Sequence, residues 1–151
     1  MITVYTDGSS RGNPGPGGYG AVMIYGQHRR ELSEGYRRTT NNRMELLAVI
    51  KALEAIRRPD YPVTVYTDSK YVADAVEKGW LRNWLAKGFK GKKNEDLWRR
   101  FDQVARNRTI KFRWVRGHAG NVENERCDEL AVAAALGSNL QVDDGFERIA
   151  K

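Results

Sequence analysis

The pentapeptide Thr-Val-Tyr-Thr-Asp occurs twice in this chain of 151 residues, at residues 3–7 and 64–68. Apolar and polar residues alternate in both copies, which predicts two β-strands of the same phase, each ending at an aspartate. In α/β sheets, sites form at the carboxyl ends of the strands. If the two strands are parallel neighbours, Asp7 and Asp68 lie close enough to share a metal ion. The repeat therefore favours an α/β fold with an acidic site at one edge of the sheet.

The remaining pattern supplies three more predicted strands, at residues 18–26, 29–38 and 109–115. Helical periodicity covers residues 42–58, where Pro59 closes the helix, and returns at about residues 124–136. Strands first and alternating helices and strands afterwards predict an α/β domain with a five-stranded mixed sheet flanked by helices. We expect one domain over residues 1–136. Because residues 137–151 show no clear period, we expect them to form a loosely packed or disordered tail.

Composition excludes several classes of protein. The longest apolar run, Leu130 to Leu136, is far shorter than the roughly 18 residues that a membrane span needs. The amino terminus lacks the pattern of a signal peptide. A single cysteine, Cys127, and two histidines exclude an internal disulfide and a cysteine- or histidine-built metal cage. We therefore expect a cytoplasmic protein without a membrane partner, and nothing in the pattern suggests that it is other than a monomer.

Positive charge is concentrated in residues 78–100, which we call the basic segment. It contains eight basic residues and two acidic ones, so that it carries +6 of the net charge of +7. Trp80, Trp84, Phe89 and Trp98 are interleaved with these cations. Cations that bind phosphates, together with flat rings that contact sugars or bases, favour a nucleic-acid surface. The alternative is a solvated helix face whose tryptophans pack inward.

The glycine-rich segment at residues 15–20 matches G-x-G-x-x-G, the fingerprint of dinucleotide-binding proteins. That fingerprint requires the loop to open a helix whose amino terminus faces the pyrophosphate. Here the β-prone run AVMIY follows, and Pro14 and Pro16 stiffen the approach. We interpret the segment as a turn into a strand and expect no small organic cofactor.

Two helical carboxylates face inward in the predicted structure. Glu45 is in line with Val49 and Ala52, and Asp128 is in line with Ala131. Each has an ordinary explanation, since an acid near a helix start caps the helix and interacts favourably with its dipole. An inward carboxylate is nevertheless costly unless it is paired or coordinates a cation. Together with the two strand-end aspartates, they form a candidate cluster of four acids.

Four clustered carboxylates repel one another, and divalent cations remove that repulsion. Oxygen ligands alone suit Mg²⁺ or Mn²⁺ better than zinc. Two such ions are suited to in-line displacement at a phosphodiester. His118 lies in the loop sequence RGHAGN, between the last predicted strand and Asp128. Beside such a cluster, an imidazole that titrates near neutral pH can transfer a proton, although loop histidines are often merely exposed.

The sequence resembles bacterial ribonuclease HI from residue 1 to about residue 136. The matching stretches are TDGSSRGNPGPGGYGA, TTNNRMELLAVIKALE, TDSKYV and WVRGHAGNVENERCDELA, in that order. The resemblance implies a ribonuclease H-like fold. It also implies endonucleolytic hydrolysis of the RNA strand in RNA–DNA hybrids, leaving 5′-phosphate and 3′-hydroxyl ends. Two Mg²⁺ ions are expected in the substrate complex, with Mn²⁺ able to replace them.

The resemblance also implies roles for individual residues near the reaction. Four acids match the family's metal ligands: Asp7, which is expected to bridge the ions, with Glu45, Asp68 and Asp128. His118 matches a mobile loop histidine of the family that is assigned to proton transfer and product release. Glu125 matches a secondary acid that assists near the metal.

Further matches concern the substrate. Asn13, Asn41 and Asn42 match polar residues that line the minor groove of the hybrid, where 2′-hydroxyls distinguish the RNA strand. Thr40 is similar to a residue that holds a DNA phosphate. The family's basic handle, which grips the DNA strand, is matched by four residues of the basic segment: Trp80, Trp84, Lys87 and Lys90.

The sequence departs from the family pattern in places. Lys70 stands where many relatives have a substrate-contacting glutamine, and Asn121-Val122 replaces a common His-Pro pair. Two other functions fit the sequence less well. A non-catalytic module that binds hybrids or duplexes does not need all four acids, and an ATP-handling enzyme on a related fold would need nucleotide motifs that are missing here.

Overall fold

The computed structural model describes residues 1–116 and 121–149, and it confirms the predicted α/β fold with a five-stranded mixed sheet. The sheet order is β3-β2-β1-β4-β5. The first three strands pair antiparallel, whereas β4 and β5 continue the sheet in parallel with β1. The strands are β1 (Ile2–Ser10), β2 (Gly15–Tyr25), β3 (His28–Thr39), β4 (Val63–Thr67) and β5 (Ile110–Trp114).

The two copies of the repeated pentapeptide are parallel neighbours, which is the condition under which the sequence placed Asp7 and Asp68 close together. Thr3 pairs with Thr64, and the ladder ends where Tyr5 pairs with Tyr66. Asp68 follows the last residue of β4. Asp7, however, does not end its strand, because β1 continues to Ser10 along its antiparallel partner β2. Asp7 therefore lies beyond the end of the parallel ladder but within a strand that is held on its other side.

Six helices lie in the described residues: α1 (Asn41–Ala55), α2 (Lys70–Glu77), α3 (Trp80–Ala86), α4 (Glu95–Ala105), α5 (Val122–Ala135) and α6 (Asp144–Ile149). Ten of the fifteen residues of α1 are buried. It begins after Thr40, whose hydroxyl accepts a hydrogen bond from the amide of Arg43. It ends at Ala55, before the predicted Arg58, because Ile56 is extended and its amide bonds to Leu53.

Glycines allow helices to approach both faces of the sheet closely. A Cβ on Gly8 would overlap the backbone of α1 at Met44 and Glu45. On β2, Gly18 and Gly20 have no room for a Cβ because α5 lies against them. Asp7 pairs with Gly20, so these two residues face the same side of the sheet, whereas Gly8, the next residue of β1, faces the other side. Helices α1 and α5 therefore cover opposite faces of the sheet. Both helices therefore bring their carboxylates close to β1.

The described residues after 136 are packed more closely than the sequence predicted. Gln141 forms a bridge with Tyr36 of β3, and Asp143 is buried. Asp143 accepts hydrogen bonds from the guanidinium of Arg43 at 2.8 and 2.9 Å and from the hydroxyl of Thr39 at 2.7 Å. The following residues form α6. An ion pair between residues a hundred positions apart leaves no periodicity in the sequence, which is why the pattern predicted a loose tail.

Among the described residues, no helix is long and apolar enough to span a membrane.

Candidate active site

Three of the predicted acids meet at the edge of the sheet. Asp7, Glu45 and Asp68 each offer a carboxylate oxygen, and these oxygens lie within 4.8 Å of one another. The three residues come from β1, from α1 and from the residue after β4. The cluster therefore depends on two parallel strands and one helix that the chain brings together from distant positions.

Hydrogen bonds hold the residues around the cluster in place. Glu45 accepts a hydrogen bond from the amide of Gly8, which anchors α1 to β1 beside Asp7. The carbonyl of Asp68 accepts a hydrogen bond from the indole of Trp114 at 3.0 Å. Ser69 then caps α2 by accepting a hydrogen bond from the amide of Val72 at 3.2 Å. Thr40 caps α1, so Glu45 does not have the helix-capping role that was the alternative to metal binding.

Burial and mutual repulsion raise the pKa values of carboxyl groups in the cluster and so disfavour their ionisation. Burial is the main reason that the pKa of Asp7 is raised to about 7, and the charges of Asp68 and Asp128 add to it. Hydrogen bonds from Glu45 and from the amide of Gly8 act in the opposite direction. Burial likewise raises the pKa of Glu45 well above its usual value, with the charge of Asp7 as the next cause. A cation bound at this position would stabilise the ionised carboxylates and so offset both the cost of burying them and their mutual repulsion.

Helix α5 contributes the fourth acid at the border of the cluster. Asp128 is not one of the three acids whose oxygens meet, but it lines the same narrow cleft as Asp7 and Asp68. Glu125 lines that cleft as well. The thiol of Cys127 is buried and donates a hydrogen bond to the carbonyl of Tyr5, which fixes α5 against β1. Asp7, Asp68, Asp128 and Glu125 therefore line one cleft, and Glu45 is buried beside Asp7 and Asp68.

Two further cleft residues, Arg116 and Asn124, were not identified from the sequence. Arg116 is the first residue of the RGHAGN stretch that contains His118, and Asn124 directly precedes Glu125, so closeness to these motifs was the only signal. The amide oxygen of Asn124 is buried and has no hydrogen-bond partner among the described residues. His118 itself lies outside the described residues.

The donor set in the cleft fits a hard divalent cation. It consists of carboxylate oxygens with the unpartnered amide oxygen of Asn124 nearby, and the single described cysteine is bonded elsewhere. Oxygen ligands of this kind suit Mg²⁺ or Mn²⁺. Burial is the main cause of the raised pKa values of Asp7 and Glu45, and repulsion from neighbouring acids adds to it, so a bound cation would favour their ionised forms.

A separate cavity of about 690 Å³ collects the predicted minor-groove residues. Asn13 and residues 40–43 form one side, and residues 92–95 of the basic segment form the other. Asn13 accepts a hydrogen bond from the amide of Asn41 at 3.1 Å, which fixes the two residues relative to each other. Phe146 of α6 also lines this cavity, although the sequence analysis did not single it out.

The basic segment divides its aromatic residues between the core and the surface. Trp98 and Phe89 are buried, as the inward-packing alternative predicted for the tryptophans. Trp80 is 40% exposed, with the ammonium of Lys78 5.7 Å from its ring centre. Trp84 is partly buried against Trp98, and it lines a small surface cavity with Lys87, Lys90 and Lys92. The exposed rings and cations form a surface apart from the acidic cleft.

The family model and the curated relatives that match this chain all point to ribonuclease H. The family model described as RNase H matches residues 1–136 of the chain. A ribonuclease H of Desulforamulus reducens is 56% identical over 147 residues, covering 94% of this chain and 92% of the relative. A ribonuclease HI of Synechocystis is 50% identical and covers 96% of this chain and 94% of the relative.

Solved structures agree with the sequence matches. The crystal structure of LC9-RNase H1, described as a type 1 RNase H with the type 2 active-site motif, aligns with a TM-score of 0.81 at 37% identity. That alignment covers 99% of this chain and 80% of the other. LC11-RNase H1, solved in complex with an RNA/DNA hybrid, aligns with a TM-score of 0.65 at 29% identity, covering 89% of this chain and 96% of the other.

Proposed function

Because the chain belongs to the ribonuclease H family, we propose that it is a Mg²⁺-dependent endoribonuclease that hydrolyses the RNA strand of RNA–DNA hybrids. The products are RNA fragments with 5′-phosphate and 3′-hydroxyl ends. The observation that carries the proposal is the meeting of three carboxylates, Asp7, Glu45 and Asp68, at the sheet edge. Four intact acids serve no purpose in a protein that only binds hybrids.

The metal ligands of the proposed enzyme are Asp7, Glu45, Asp68 and Asp128. Two Mg²⁺ ions held by these residues would supply activation of the attacking water and stabilisation of the charge that develops on the leaving oxygen. Mn²⁺ offers the same preference for oxygen ligands and can substitute. Asp7 would be the ligand shared by the two ions in this proposal, since its carboxylate lies within 4.8 Å of those of Glu45 and Asp68.

The chain's own groups perform the remaining tasks. The amide of Gly8 holds Glu45 in place, so that the carboxylates are oriented before substrate arrives. His118 protonates the leaving 3′-oxygen and helps to release the product. Glu125, which lines the cleft, assists by holding water or product near the acids.

Hybrid recognition is divided between two surfaces in this proposal. Asn13, Asn41 and Asn42 contact the minor groove, where 2′-hydroxyls identify the RNA strand. Thr40 binds a phosphate of the DNA strand. The exposed part of the basic segment binds the same strand farther along, using Trp80, Trp84, Lys87 and Lys90.

The catalytic domain of the proposal spans residues 1–136, the range of the family match. We propose that the enzyme acts as a monomer in the cytoplasm, where a single free cysteine is stable. It needs no membrane and no organic cofactor.

The proposal is tested by incubating the protein with a labelled RNA–DNA hybrid, the matching RNA duplex and single-stranded RNA, each with Mg²⁺ and with EDTA. We expect cleavage only of the RNA in the hybrid, loss of cleavage in EDTA, and fragments that a 5′-phosphate-dependent exonuclease degrades. Hybrid binding without cleavage in Mg²⁺ or Mn²⁺ would overturn the proposal in favour of a binding module.

A further inference from the structure

Phe146 of α6 contributes an aromatic ring to the cavity that Asn13, residues 40–43 and residues 92–95 enclose. The ring is partly exposed, so it is available to a molecule in the cavity. The guanidinium of Arg38 lies 5.9 Å from the centre of the ring. A segment beyond the range of the family match thus forms one wall of a cavity that otherwise belongs to the proposed hybrid-binding surface.

Asp143 fixes the position of this ring. Its buried carboxylate binds Arg43 and Thr39, and its carbonyl accepts the amide hydrogens of Phe146 and Glu147 at 3.1 and 2.8 Å. A Cβ on Gly145 would overlap the carboxylate of Asp96, which also binds Arg43. The turn that carries Phe146 is therefore packed directly on a buried ion-pair network, and the ring is held in place without substrate.

The charge around the ring favours a polyanion. Lys92 and Lys93 line the cavity and are exposed. Arg38 is exposed and makes no salt bridge within the described residues. Glu95, the one acid among the described residues that line the cavity, is paired with Arg99 at 2.7 Å. A flat ring flanked by exposed cations is suited to a sugar–phosphate backbone, since the ring contacts the sugar and the cations bind the adjoining phosphates.

We propose that α6 is part of the substrate site, with Phe146 packing against a sugar of the hybrid and Arg38 binding an adjoining phosphate. Arg43 and Asp143 are positioning residues, because they act on the substrate through Phe146. The proposal rests on the proposed function, since it takes the hybrid as the occupant of the cavity. It adds a substrate contact that lies outside the acidic cleft.

The test compares wild type with Phe146→Ala, Phe146→Tyr and the control Val142→Ala. Val142 is exposed on the same segment and does not line the cavity. We measure kcat and KM in Mg²⁺ on a series of hybrids of increasing length, and thermal unfolding of each variant. For Phe146→Ala we expect KM on long hybrids to rise about fivefold, since part of one aromatic ring no longer buries apolar surface.

The expected pattern separates substrate contact from a merely structural role. The kcat of Phe146→Ala should stay unchanged. Its KM should equal that of wild type on hybrids too short to reach the cavity. Phe146→Tyr, which keeps an aromatic ring at this position, should have the wild-type KM at every length. A KM that is unchanged at every length, or that rises equally for Val142→Ala, would overturn the inference. Failure of the wild-type protein to cleave any hybrid would instead overturn the proposed function itself.

Discussion

The carboxylate of Glu45 accepts a hydrogen bond from the backbone amide of Gly8, the residue that follows Asp7. This contact joins α1 to β1 at the point where the three carboxylates meet. It requires the helix and the strand to approach so closely that residue 8 has no room for a Cβ. The orientation of the acids thus depends on a glycine that carries no chemistry of its own.

Gly8→Ala should therefore both destabilise the protein and reduce its activity. The new methyl group would overlap the backbone of Met44 and Glu45, so α1 must shift away from β1. Overpacking of this kind costs about 1–3 kcal/mol. Urea unfolding and hybrid-cleavage rates measure the two effects. Gly137→Ala is the control, because a Cβ there meets its neighbours at ordinary distances of 3.4 Å or more. Equal behaviour of the two variants would contradict the account.

Asp7→Asn should stabilise the metal-free protein at pH 8. The folded-state pKa of Asp7 is about 7, above its usual value of 3.8, so the wild-type protein loses stability as pH rises through this interval. The neutral amide avoids that loss, and we expect a gain on the order of 4 kcal/mol at pH 8 in EDTA. The gain should nearly vanish at pH 4. Chemical unfolding at both pH values measures it, with the exposed Asp60→Asn as the control. A variant less stable than wild type at pH 8 would contradict the assigned repulsion.

Asp96→Asn should flatten the loss of stability in acid. Burial alone would raise the pKa of Asp96, but the two hydrogen bonds from Arg43 outweigh burial and lower the pKa. Its contribution to stability is therefore complete above the usual pKa of 3.8 and is lost as pH falls through the lowered value. Thermal unfolding from pH 6 to pH 2 should fall less steeply for Asp96→Asn than for wild type. The control Asp102→Asn, on the same helix, should show the same dependence of thermal unfolding on pH as wild type. If the curve of Asp96→Asn also ran parallel to that of wild type, the assigned role of Asp96 would be wrong.

Replacing Lys87, Lys90 and Lys92 with alanine should weaken hybrid binding and flatten its dependence on salt. Each phosphate contact that is lost lowers the slope of log K against log salt concentration by roughly 0.9. A matched control replaces Arg30, Arg57 and Lys111, three exposed cations outside the basic segment, and it changes the net charge equally. Fluorescence anisotropy in EDTA measures affinity at several salt concentrations. If both triple variants showed the same slope, net charge rather than the basic segment would account for binding.

The strands and the acids could be predicted because their signals are local. Alternation over seven residues identifies β1 and β4, and a repeated Thr-Asp ending places two carboxylates together once the strands are parallel neighbours. The contact of Glu45 with Gly8 could not be predicted, since it depends on how closely a helix approaches a strand 37 residues away. The network of Arg43, Asp96 and Asp143 was missed for the same reason, and with it the packing of α6. Local pattern shows which residues share a face, whereas the pairing of distant charges is decided only by the folded chain.

The central claim, that the cluster around Asp7 performs the hydrolysis, is tested most directly by single-turnover cleavage of one labelled RNA–DNA hybrid by wild type and Asp7→Asn in Mg²⁺, with binding measured in parallel. We predict that Asp7→Asn binds the hybrid as tightly as wild type and leaves its RNA strand intact. Cleavage by Asp7→Asn at the wild-type rate would remove Asp7 from the reaction and contradict the account.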